Sequence, residues 1–87
     1  MAARIGFDEM LQRTIQRTKQ DETTARLVVE TFLDEIYQSM KRGECVTLQN
    51  FGGFYVNPRQ DTWVFKFNPS QKWKALFGWS STYRGDL

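Results

Sequence analysis

Eighty-seven residues make one domain, 1–87, and a chain this short hides only about 60% of the surface its unfolded form exposes, so a lone copy is marginally stable. Disulfides cannot supply the difference because Cys45 is the only cysteine, and with no histidine the chain lacks the ligand set of a metal site and the usual general base. The net charge of +2 is unevenly placed: residues 1–20 carry four Lys/Arg against two Asp/Glu, residues 21–50 three against six, and residues 51–87 five against two.

Basic ends around an acidic middle are the pattern of a polyanion binder with one working face. No signal peptide and no apolar run near ~18 residues is present, which with a single reduced cysteine predicts a soluble cytoplasmic protein.

A first helix is expected to open near Asp8 as its N-cap, to place Phe7, Met10, Leu11 and Ile15 on one stripe, and to end between Thr18 and Gln20. Asp21 caps the next helix. There Ala25, Val28, Val29, Phe32, Leu33, Ile36, Tyr37 and Met40 keep helical spacing until Lys41-Arg42-Gly43, two cations at the negative end of the dipole and a glycine suited to the left-handed turn.

From Cys45 the period changes to two. Val46 and Leu48, then Phe54 and Val56, read as strand, tight turn at Gly52-Gly53, strand, and Cys45 is expected to pack as a small apolar residue. Trp63, Phe65 and Phe67 alternate with Val64 and Lys66 on a third strand, with Asn57 to Asp61 as an ordinary hairpin tip. Asn68-Pro69-Ser70 opens a short helix over Gln71 to Phe77, stopped by Gly78, and residues 79–87 form a tail without periodicity.

The order helix, helix, three strands, helix gives an α+β domain with an antiparallel sheet. The long helix stripe and the strand aromatics exceed what one small helix pair can cover. A second copy is expected to cover them.

The segment from Met40 to Val56, with Gly43, Val46, Leu48, Phe51, Gly52, Phe54 and Val56 at their spacings, is similar to the V-x-L-x-x-F-G-x-F-x-V block of the HU/IHF family of bacterial histone-like proteins. Phe67-Asn68-Pro69-Ser70-Gln71-Lys72-Trp73-Lys74 resembles that family's F-x-P-G-x-x-L-x opening of its last helix, and the likeness covers about residues 7–78. It implies an intertwined homodimer or heterodimer that binds double-stranded DNA in the bacterial nucleoid, without a cofactor. It also implies a shared core holding Phe51, Phe54 and Phe67, to which Phe32 of the long helix is added.

The chain departs from the family in its arm. There, a long basic two-stranded arm ends in a proline that wedges between base pairs in the minor groove. Here Phe54 and Phe67 are thirteen positions apart, and ~3.3 Å per strand residue cannot carry Pro58 around a duplex about 20 Å wide.

Given the resemblance, Arg59, Lys66, Ser70, Lys72 and Lys74 are the expected phosphate track, which Arg13 and Arg17, with Arg4, extend in the dimer. Trp63 and Trp73 are expected to pack in the core or interface, whereas Trp79 and Tyr83 lie beyond the last helix. Asp8, Asp21 and Glu22 are accounted for at helix starts, so an enzyme is not expected. Two functions follow: an architectural DNA-binding dimer contacting phosphates largely regardless of sequence, with little intercalative bending, or a dimeric protein-interaction module that has lost DNA and docks through Trp79 and Tyr83.

Overall fold

The structure is a computed structural model and describes residues 2–87. It comprises two compact units, Met1–Glu35 and Ile36–Leu87, with the division falling inside the long second helix.

In the first unit, α1 spans Phe7–Thr18 and α2 opens at Glu22 and runs to Lys41. Gly6, not Asp8, stands at the N-cap of α1 and provides no side-chain cap. Asp8 lies inside the first turn instead, where its charge suits the dipole and its carboxylate receives Arg26 at 3.4 Å, while the Arg26 guanidinium lies over the Phe7 ring. Gln12 Nε2 donates to Glu22 Oε1 at 2.8 Å, a second tie between the helices. Lys19 closes α1 in the left-handed region, with φ 60, and Asp21 opens α2 by accepting the Thr24 N–H at 2.9 Å. That bond favours the charged carboxylate and holds Asp21 below its ordinary pKa. Leu11 and Ala25 are the buried hydrophobic residues of this unit.

In the second unit, α2 ends as the sequence predicts, with Gly43 at φ 75 and the Glu44 N–H returning to the Ser39 carbonyl. Arg42 pairs with the Glu44 carboxylate and keeps it below the usual range. Strands β1 (Val46–Leu48), β2 (Gly52–Pro58) and β3 (Trp63–Pro69) form an antiparallel sheet in that order, followed by α3 (Gln71–Leu76).

The turns fall elsewhere than expected. Residues 49–51 connect β1 to β2, with Asn50 at φ 63, and Gly52 and Gly53 belong to β2, paired with Leu48 and Thr47. Gly52 is required by packing and not by a turn: a Cβ there would stand 2.7 Å from both the Asn68 carbonyl and the Phe67 ring, and its φ is 155. Asn57 and Pro58 likewise continue β2, leaving a tip at residues 59–62 closed by Arg59 N–H to Thr62 C=O at 2.7 Å. Asn68 and Pro69 end β3 and do not open α3. Ser70 alone caps it, its Oγ accepting the Trp73 N–H, and Phe77 stands at the C-cap outside the helix.

Phe51, Phe54, Phe67 and Trp73 form one aromatic cluster, with ring centroids 4.5 Å apart for Phe51 and Trp73 and 4.9 Å for Phe54 and Phe67. Phe65 and Trp63 remain exposed, as do Phe32, Leu33 and Tyr37 on α2. Trp73 thus packs within the chain, whereas Trp63 does not pack in the core of a single chain, and Cys45 is exposed because it precedes β1 on an uncovered loop.

Candidate nucleic-acid interface

Side chains alternate along a strand and Cα-paired residues share a face, so the register separates the sheet into two chemistries. One face holds Val46, Phe54 and Phe67 in a row, then Val56 beside Phe65, then Pro58 beside Trp63. It contains no polar side chain. The other holds Thr47, Gly53 and Asn68, then Tyr55 beside Lys66, then Asn57 beside Val64. Neither face carries a carboxylate, and from Cys45 to Gly85 the only one is Asp61. Tyr55 and Asn57 were not evident as candidates from the sequence, although their alternation with Phe54 and Val56 marks them as residues of the Lys66 face.

The predicted cations fall into two sets. Arg59 lies at the exposed hairpin tip, Lys66 on the polar sheet face, and Lys72 and Lys74 half-buried on α3, all in the 36–87 unit. Arg13 and Arg17 belong to α1 and border a shallow depression with Met10, Thr14 and Thr18. The Thr14 and Thr18 hydroxyls donate back to the carbonyls of Met10 and Thr14, so the arginines are the remaining side-chain donors there. Arg13 is partly neutralised by Glu9 at 3.4 Å. Among the described residues the ion pairs engage Arg13, Arg26 and Arg42, whereas Arg17, Arg59, Lys66, Lys72 and Lys74 make none. Ser70 is only partly free: its oxygen caps α3, leaving the hydroxyl proton to donate.

The apolar face continues into an open groove of about 480 Å³ lined by Tyr37, Met40, Val56, Trp63 and Phe65, with the Lys41-Arg42-Gly43 corner at its edge. No group of three or more potential metal ligands occurs among the described residues, and no helix among them is long and apolar enough to cross a membrane.

Comparison with known proteins bears on this arrangement. A single-substitution variant of HU from Thermotoga maritima superposes with a TM-score of 0.75 at 23% identity, covering 84% of this chain and 99% of that one. HU from the same organism superposes with a TM-score of 0.72 at 25% identity, covering 84% and 98%. The α subunit of integration host factor from Aromatoleum aromaticum is 35% identical over 51 residues, 59% of this chain, and the chain spans about half the length of that curated relative. The family described as bacterial DNA-binding protein matches residues 8–69, which run from the first turn of α1 through both faces of the sheet to the end of β3. The chain therefore belongs to the bacterial DNA-binding protein family, the family of HU and integration host factor.

Proposed function

We propose that the protein is an architectural, dimeric DNA-binding protein of the bacterial nucleoid that grips the phosphate backbone of duplex DNA largely regardless of sequence and bends it little by intercalation. The observation that carries this reading is the two-faced sheet, one side wholly apolar and half-exposed, the other bearing Lys66 without a carboxylate. The apolar side and the groove beside Trp63 suit a second copy, identical or paralogous, because burying each such side chain contributes about 1.5–3 kcal/mol. The polar side, with Arg59, Lys72 and Lys74 unpaired nearby in sequence, suits phosphates. Limited bending follows from the hairpin: only four residue steps on each strand lead from the Phe54–Phe67 pair to Pro58 and Trp63, a reach of ~13 Å.

The test is an electrophoretic shift with a mixed-sequence duplex across a salt series. Affinity should fall steeply with salt, with a slope near −0.9 per phosphate contacted, and vary little with sequence. No binding even at low salt overturns the reading in favour of a protein-interaction module on the same fold.

A further inference from the structure

The sheet's apolar face holds the exposed Trp63 and Phe65, and the stripe of α2 the exposed Phe32 and Tyr37. Phe77 and Trp79 belong to neither. They follow α3, beyond the stretch that matches the family, and are 58% and 68% exposed. Their ring centroids lie 5.1 Å apart at an interplanar angle of 33°.

The pair is anchored. Trp79 N–H donates to the Lys74 carbonyl at 2.7 Å and Gly78 N–H to that of Ala75 at 3.0 Å, with Gly78 at φ 76 turning the chain back over α3. Further on, the Ser80 hydroxyl donates to Gln71 Oε1 at 2.7 Å and the Tyr83 hydroxyl to the Asp86 carbonyl at 3.2 Å. Gly85 lies against the Tyr83 ring with no room for a Cβ, and Leu87 shares a small recess with Lys72, Trp73 and Leu76. A guest that stacks on rings carried by a backbone already tied to α3 avoids part of the ordering cost a mobile tail would impose.

The charge around the pair selects the guest. Residues 70–87 contain Lys72, Lys74 and Arg84, none in an ion pair, against the single acidic side chain Asp86. Planar apolar rings flanked in sequence by cations outside any ion pair match a planar base with its phosphates, since base–aromatic stacking tolerates any sequence and cations can follow the backbone. We infer that the Phe77–Trp79 pair is a stacking platform for an unpaired nucleobase at a single-stranded end or gap, with Lys74 and Arg84 meeting the adjoining phosphates. This rests on the DNA-binding reading and adds a second site to it.

The test compares a blunt duplex with the same duplex carrying a short single-stranded overhang, at one salt concentration. The wild-type protein should bind the overhang form about 5-fold to 150-fold more tightly, the range a single stacked base provides. Trp79→Ala should bring overhang affinity down to the blunt value while leaving blunt-duplex affinity and the sedimentation coefficient unchanged, and Trp79→Phe should keep most of the preference. Equal wild-type affinity for both DNAs overturns the inference alone and leaves the pair as a protein-docking surface. Retained preference in Trp79→Ala overturns it too, as does loss of the oligomer in that variant, which would make the pair a subunit contact. Failure to bind either DNA removes the duplex reading and this site together, whereas overhang binding without blunt binding upholds the site and removes the duplex reading.

Discussion

Phe54 and Phe67 face each other across β2 and β3, with ring centroids 4.9 Å apart and Phe51 against both. This pair is the base of the hairpin and the centre of the aromatic cluster of Phe51, Phe54, Phe67 and Trp73.

Phe54→Ala should therefore unfold and dissociate the protein in a single transition, at a cost of about 3–5 kcal/mol, typical of removing a packed phenylalanine. Circular dichroism and sedimentation of the same samples check this. A folded, stable monomer at low micromolar concentration would show that the apolar sheet face needs no second copy.

Gly52→Ala should be much more harmful than Gly53→Ala. At Gly52 the added carbon meets a backbone carbonyl and a ring at 2.7 Å, while at Gly53 the nearest atom is 3.7 Å away. Chemical denaturation should show Gly52→Ala losing more than the ~1 kcal/mol scale of an ordinary glycine substitution and Gly53→Ala staying within it. Similar losses at both positions would mean the β2–β3 base is looser than its register implies.

Reversing the charge at Lys72 and Lys74 together, with glutamate at each, should abolish duplex binding and leave the dimer intact, because neither side chain enters the aromatic cluster. Deleting residues 79–87 should leave blunt-duplex binding nearly unchanged, since it removes one cation, Arg84, and one acidic side chain, Asp86. Filter binding of both variants to one duplex at low salt decides the matter. Unchanged binding after the reversal would remove α3 from the interface.

Asp21 gives a pH signature. Its folded-state pKa lies below the ordinary 3.8 because it accepts the Thr24 N–H, so its contribution is fully present above 3.8 and is lost as pH falls through the lower folded value. Asp21→Asn keeps an acceptor at the cap but cannot titrate, so its melting temperature should fall less steeply in that acidic window than the wild type's. Parallel curves for the two proteins would show that the cap does not couple to stability.

The helices were legible in the sequence because their spacing repeats over many residues and their ends carry chemical marks, Asp21 at one and Gly43 at the other. The β turns were less legible. Gly52-Gly53 looks like a turn when only local propensity is read, but the demand for glycine comes from Phe67 and Asn68, which approach from fifteen and sixteen residues away. Asp8 misled for a related reason: its carboxylate serves the dipole and Arg26, and Gly6 leaves the first turn without a side-chain cap. The candidate cations were identified as residue types, whereas the division of Tyr55, Asn57 and Lys66 from the apolar face required the register.

The fixed base at Gly52 has a consequence for how the hairpin can vary. Any shift of β3 along β2 would drive Phe67 into backbone or exchange the two faces, so length can change only at the far end, between Arg59 and Thr62. Each residue inserted on both sides of that tip lengthens the projection by ~3.4 Å without disturbing the rows beneath it. Reach is thereby an adjustable module, separable from folding, and lengthened or shortened tips grafted at this point offer a way to set the footprint of such a protein while its interior stays constant.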